Sequence, residues 1–215
     1  MKKLIQGILQ FRQTQREGLT ETFAKLALGQ KPDALFIACS DSRMAVNVFA
    51  STDPGDLFVL RNVGNLAPPY GHPGGTGTAA AVDFAVDNLG VRDIIVCGHS
   101  DCGAIAALRH GRDALPDGPL KWWLDMGAAS GTIEDGDAAG SDPSDASRRN
   151  VLRQIEHLKG YPSVIRAMAE RGLRLHGMWF DIRHLDVLYY EQPARQWTVL
   201  DAAEGARILS NIGGF

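Results

Sequence analysis

Cysteine is scarce in this chain of 215 residues, with three in all. An odd count with no secretory start cannot close a disulfide framework. Excess basic charge is also lacking: 22 Lys and Arg against 25 Asp and Glu give a formal net charge of -3. That excludes the electropositive surface by which nucleic acid or an anionic membrane is held. Long apolar runs are absent as well. The start, Met1-Lys2-Lys3-Leu4-Ile5, has the charged-then-apolar order of a secretory signal, but Gln6, Gln10, Arg12 and Gln13 interrupt it. It reads as an amphipathic helix of a cytoplasmic protein, neither a signal nor a span. What remains is a hydrophobic content of 45%, enough for one domain over residues 1–215 with a sheet buried on both faces.

Two short strings stand out: Cys39-Ser40-Asp41-Ser42-Arg43 and His99-Ser100-Asp101-Cys102-Gly103. Each closes an apolar run of strand type, ALFIA at 34–38 and IIVCG at 94–98. Both strings therefore start at the carboxyl ends of buried parallel strands, where open α/β sheets place their sites. Cys39, His99 and Cys102 supply two thiolates and an imidazole, a zinc set of three protein ligands that leaves the fourth position to water. Such a set points to catalysis. Either cysteine alone reads as core packing, since free cysteine is among the most buried residue types; their placement at two strand ends with His99 favours ligation. Cys97, inside its strand, reads as packing.

Along the chain, residues 1–28 carry helically spaced apolar residues (Ile5, Ile8, Leu9, then Leu19, Phe23, Leu26) and form an N-terminal helical arm ended by Gly29 and Pro32. Strands are predicted at 34–39, 57–62 and 93–98, with helices over 76–89 and 102–109. Residues 111–147 shift to Gly, Ala, Ser, Asp and Pro apart from an amphipathic patch at 120–126, and read as a surface excursion. Trp122, Trp123 and Met126 of that patch suit a buried helix face. Helices at 148–159 and 162–171 precede strand-like segments at 173–182, 185–190 and 195–200. The fold class is α/β, a mostly parallel central sheet flanked by helices.

In this order and spacing, CSDSR at 39–43, PGDLFVLRNVGN at 54–65 and VCGHSDCGA at 96–104, with GLRLHGMWFDI at 172–182, resemble the β-class carbonic anhydrases, zinc lyases that interconvert carbon dioxide and bicarbonate. GQKP at 29–32 and NLAPPY at 65–70 are similar to the plant-like branch. The resemblance implies one Zn2+ per chain and an obligate homodimer or a multiple of it. It implies that Gln30 points its amide into the active site, that Phe58 forms an apolar wall, and that Phe84 stands where that branch has a tyrosine reaching across the dimer interface. Gln30 and Phe84 are expected to act across the subunit boundary. The other branch's inhibitory bicarbonate site maps to Phe36, Arg61 and Phe180, where only the arginine is retained.

The residues carry the same chemistry without the family. Zinc makes water a nucleophile near neutral pH, and two thiolates offset the charge of the cation, so alkaline pH is expected to favour activity. Asp41, held ionised by Arg43, accepts the hydrogen of the attacking oxygen and aims it. Charge developing on the substrate meets the Gly103 N–H and the Gln30 amide. An ordinary surface pair is the bland reading of Asp41 and Arg43. Asp101 suits the start of a helix rather than a fourth ligand. His72, His110, His157, His176 and His184 read as surface or core histidines. The same set would also serve a carbonyl sulfide or carbon disulfide hydrolase, or a non-catalytic zinc or bicarbonate sensor. Against the sensor stands Asp41, which mere binding does not need.

Overall fold

A computed structural model describes residues 1–109, 115–127 and 142–212. Strand β1 (Ala34–Cys39) buries all six of its residues, because ALFIAC has no polar side chain to offer to water. It runs parallel between β2 (Leu57–Asn62) and β3 (Asp93–His99), and β4 (Arg174–Asp181) adds in parallel to β3. β5 (Asp186–Glu191) and β6 (Gln196–Val199) are antiparallel, giving the order β2-β1-β3-β4-β5-β6. The change of direction has a simple cause. Residues 182–185 and 192–195 are too few for a parallel crossover, which needs a dozen or more, so the chain closes hairpins instead.

The pleat sends alternate residues to two cores. Phe36, Ala38, Ile95 and Cys97 face one core with Ile105, Leu124 and Phe180. Leu35, Ile37, Ile94 and Val96 face the other with Val82, Val151 and Ile155. Each such aliphatic side chain contributes about 1.5–3 kcal/mol by leaving water.

The helices follow the predicted pattern with several departures. The arm is two helices, α1 (Lys2–Thr14) and α2 (Arg16–Leu26), neither of which buries a residue. After the short α3 (Val46–Phe49), the expected helix over 76–89 is α4 (Thr76–Asp83) continued by a π-helical turn, Phe84–Asn88. Beyond α5 (Gly103–Arg109), the amphipathic patch forms α6 (Pro119–Gly127), while 110–114 and 128–141 of the expected excursion, with His110, lie outside the described residues.

α7 (Pro143–Leu158) begins earlier than composition suggests, capped by Asp142 at the Ser144 N–H, 2.9 Å, and its Ala146 and Ser147 are buried. Residues 143–147 are thus the first turns of a helix whose Ala146 and Ser147 reach the core. α8 (Pro162–Arg171) ends at Gly172, whose φ of 69° suits glycine. The C-terminal α9 (Ala202–Ile212) was not expected from its sequence.

α7 lies close against β3. A Cβ on Gly98 would sit 2.7 Å from Val151 Cγ2, so only glycine admits the helix there. That approach brings Ser147 to the carboxyl end of β3.

The amino end of β3 is held by a polar clasp. Arg174 donates from Nε and Nη2 to Asp93, 2.7 and 2.8 Å, His176 Nε2 lies 2.7 Å from Asp93 Oδ1, and His176 Nδ1 lies 3.1 Å from the Tyr189 hydroxyl. Burial pushes the Asp93 carboxyl up, but the bonds from His176 and Arg174 outweigh it and set the value at about 2, below the ordinary 3.8. A depressed carboxyl stabilises the fold above its unfolded value and ceases to do so as pH falls through its folded value. At 1.36 kcal/mol per pH unit the difference is about 2 kcal/mol. Asp93→Asn is expected to lower unfolding stability by about that amount at pH 7, with the gap to wild type closing between about pH 4 and 2. Urea unfolding at several pH values measures it; a gap independent of pH would show that the clasp acts by shape alone.

Candidate metal centre

Cys39 ends β1, His99 ends β3, and Cys102 precedes α5. Parallel pairing of β1 with β3 puts their carboxyl ends side by side. The two Sγ atoms and a His99 ring nitrogen lie within 4.8 Å of one another. All three residues are buried, at 5%, 0% and 4% exposure. Among the described residues this is the one group of His, Cys, Asp and Glu so arranged.

The imidazole is fixed by its surroundings. His99 Nδ1 is 2.8 Å from the Ser100 carbonyl, which only accepts, so Nδ1 carries the hydrogen and Nε2 keeps its lone pair. That Nε2 is buried with no hydrogen-bond partner in the protein. A buried unpaired acceptor costs about 1–3 kcal/mol, and a ligand-directed lone pair beside two sulfurs explains why the fold tolerates it. The His99 carbonyl accepts from Ser147 Oγ, 2.9 Å, which in turn accepts from Trp179 Nε1, 3.1 Å. Ser100 Oγ accepts from the Ile182 N–H, 2.9 Å. Sequence reading missed Ser147, Trp179 and Ser100, because their partners are 32 to 82 residues away.

The sulfurs are unequal. Cys39 Sγ accepts from the backbone N–H groups of Asp41 and Gly64, both 3.4 Å. Its thiol is pushed down, first by its bond with Cys102, then by His99 and those two amides, against the opposing effect of burial. Cys102 is pushed up by Cys39 and by burial, with the Ala104 and Ile105 amides opposing. One thiolate thus resists a second beside it, and a divalent cation removes that resistance, since a coordinating thiol gives up its proton. The donor set, the burial and the orphaned nitrogen all fit a zinc-type ion. Cys97 is different: wholly buried and pushed up by desolvation, it packs in the core as expected.

Asp41 and Arg43 stand at the rim. Arg43 donates to Asp41 from its backbone N–H, Nε and Nη2 at 2.9, 2.9 and 2.7 Å. These bonds hold the Asp41 carboxyl well below the usual carboxylate range, with His99 adding to the effect and burial opposing it. Asp41 Oδ2 lies 4.0 Å from His99 Nε2, so the carboxylate faces the ligand set. Arg43 Nη2 also donates to the Asp101 carbonyl, 3.1 Å, tying the two loops together. Asp101 contributes this carbonyl from a left-handed φ of 53° rather than a carboxylate cap. Gly103 is the first residue of α5, and a Cβ there would meet nothing within 4 Å, so its backbone borders open space beside Cys102.

Gln30, Phe58 and Phe84 lie elsewhere in the same chain. Phe58 pairs across from Leu35 at the amino end of β1 and packs 5.8 Å from Phe84, while Gln30 precedes that end beside Phe23, Leu26 and Pro54. Four or five residues of strand, about 15 Å, separate them from Cys39. Arg61 turns to the ligand loop, donating to the carbonyls of Cys39 and Asp41 at 3.1 and 2.7 Å. Phe36 and Phe180 are buried, with Phe49 stacked on Phe180 at 4.5 Å.

Of the other histidines, His72 accepts from the Gly74 N–H, His157 is buried against Ala67, and His184 pairs with Asp181. Trp122 is not the buried residue its spacing suggests: it is 56% exposed, with Nε1 on Asp117. Trp123 and Met126 are half-buried.

Residues 34–187 match the sequence profile of a family described as carbonic anhydrase. A carbonic anhydrase of Pseudomonas aeruginosa is 41% identical over 187 residues, 85% of this chain and 84% of its own. Carbonic anhydrase 1 of Escherichia coli O157:H7 is 37% identical, covering 94% of this chain and 93% of its own. The solved structure of the β-carbonic anhydrase CcaA superposes with a TM-score of 0.85 at 34% identity, covering 94% of this chain and 92% of that one. A structure from Sordaria macrospora, described as tetrameric, gives 0.68 at 29% identity, covering 94% and 96%.

Cys102→Ala is expected to lose most bound metal, because a cysteine and a histidine make a poor site. Cys97→Ala is expected to keep it. Metal analysis of the two purified variants decides; full occupancy in Cys102→Ala would remove that residue from the ligand set.

Proposed function

The chain belongs to the β-class carbonic anhydrases, enzymes that hydrate carbon dioxide to bicarbonate and a proton, and from that premise we propose that Cys39, His99 and Cys102 hold zinc and that Asp41 and Arg43 direct the attack. The observation that carries this reading is the buried, unpartnered His99 Nε2, set between two sulfurs with the Asp41 carboxylate 4.0 Å away. Zinc held there supplies the Lewis acidity that makes water a nucleophile near neutral pH.

Asp41 does the orienting. An ionised carboxylate only accepts hydrogen bonds, so Asp41 takes one O–H of the attacking water and leaves an oxygen lone pair facing the carbon of carbon dioxide. Arg43 fixes that carboxylate by a two-point pair and keeps it ionised. The Gly103 N–H, at the start of α5, meets charge as it develops on the substrate oxygens, and the Gln30 amide meets it from the other side. Phe58 and Phe84 suit an apolar linear substrate.

Gln30, Phe58 and Phe84 reach the site from a second copy, which reconciles their roles with their place at the other end of the sheet. The arm supports this assembly. Leu4, Ile5, Ile8, Leu9 and Phe23 are each at least 49% exposed, an apolar surface that one subunit leaves uncovered. Within the family, GQKP at 29–32 and NLAPPY at 65–70 support the plant-like branch, although the two sequence relatives described above, from Pseudomonas aeruginosa and Escherichia coli, are bacterial. Thiols that must stay reduced to bind metal suit the cytoplasm.

Asp41→Ala is expected to keep its metal and lose about a hundredfold to ten-thousandfold in stopped-flow hydration, and Arg43→Ala to lose less. An Asp41→Ala enzyme near wild-type rate would show that the carboxylate orients nothing. Deleting residues 1–28 is expected to abolish the dimer and most activity together; a fully active monomer in light scattering would contradict the shared site.

A further inference from the structure

The Gly64 N–H that bonds Cys39 Sγ belongs to the peptide between Val63 and Gly64, and side chains from two helices grip the backbone there. The carbonyl of that same peptide, Val63 O, accepts from Trp123 Nε1 of α6, 2.7 Å. The next carbonyl, Gly64 O, accepts from Asn150 Nδ2 of α7, 3.1 Å. Asn150 is 1% exposed and is itself held by Gln154 Nε2, 2.9 Å, whose Oε1 accepts from the Ala67 N–H, 2.9 Å. His157 Nδ1, on the same face of α7, and the Tyr161 hydroxyl, just before α8, lie on the carbonyls of Ala67 and Pro68 at 2.8 and 2.7 Å.

We propose that Trp123 and Asn150 are positioning residues for the metal centre: Trp123 holds and polarises the Gly64 amide so that it draws electron density from the Cys39 sulfur, and Asn150, on the carbonyl of the next peptide, holds that amide in place. A hydrogen bond accepted at one end of a peptide strengthens the bond donated at the other, and partners of this outer kind set both the orientation and the donor strength of a ligand. The inference gives α6 a task. It lies in a stretch whose composition suggests a surface excursion, yet it delivers an indole N–H, 60 residues from Val63, to the peptide that touches a ligand sulfur. It rests on the metal reading above.

The neighbouring tryptophan supplies the control. Trp122 is on the same helix, but its Nε1 donates to Asp117 at 2.7 Å and not to the ligand loop. The test uses the full chain loaded with cobalt(II), with the thiolate-to-metal charge-transfer band and the dissociation constant as readouts. Trp123→Phe is expected to move the band to lower energy, because a sulfur relieved of its hydrogen bond gives up electron density more readily. It is also expected to weaken cobalt binding about tenfold to a hundredfold.

Asn150→Asp, which keeps the acceptor for Gln154 and loses the donor to Gly64, is expected to move the band the same way. Trp122→Phe is expected to change neither. Weaker binding with an unmoved band in both Trp123→Phe and Asn150→Asp would reduce these residues to fold support and overturn the inference, as would no change in either readout. A wild-type chain that fails to bind cobalt at all would instead overturn the metal reading itself.

Discussion

Two thiols and an imidazole held within 4.8 Å, each at most 5% exposed, are the constraint around which the molecule is arranged. Such a group is costly in an apolar interior, where a thiolate loses its hydration and a second thiolate faces the first. The protein answers with backbone groups. Amides of Asp41 and Gly64 turn to Cys39, and the Ser100 carbonyl fixes the ring of His99. The remaining imbalance is what a divalent cation corrects. The parallel register of β1 on β3 makes the convergence possible, because it sets the ends of two adjacent strands level before their loops diverge.

Around that centre, arginines act as braces with different tasks. Arg43 holds a carboxylate and joins the two ligand loops through the Asp101 carbonyl, whereas Arg61 holds only carbonyls of the first loop. Arg43 is therefore tied to the Asp41 carboxylate and Arg61 to the shape of the loop. The two ends of the sheet are likewise divided. The carboxyl end carries ligands and dyad; the amino end carries the Asp93 clasp, the aromatic pair and Gln30. The aromatic pair and Gln30 thus lie about 15 Å from the Cys39 end of the same sheet.

Much of this was legible in the sequence because it was local. Apolar runs closed by CSDSR and HSDCG place three donors at strand ends, and the two-residue spacing of Asp41 and Arg43 suits a loop-borne pair. Other features lay beyond local pattern. The antiparallel β5 and β6 follow from loop length rather than from strand composition. Ser147 and Asn150 look like polar positions of a solvated helix start, yet they are 2% and 1% exposed because α7 packs at Gly98. Trp122 and Trp123 have the same residue type and adjacent positions, and helical geometry sends one to solvent and the other to Val63. Long-range hydrogen bonds leave no periodic trace, which is why the clustering of Cys39, His99 and Cys102 could be read and its supports could not.

The measurement that bears most directly on the centre is X-ray absorption at the zinc edge of the full-length, zinc-loaded protein at pH 8. Two sulfurs and one imidazole nitrogen as the protein ligands, with no carboxylate, are expected, since Asp41 is held by Arg43. A sulfur count other than two, or a carboxylate on the metal at that pH, would contradict the assignment of the ligands and the place of Asp41 beside them.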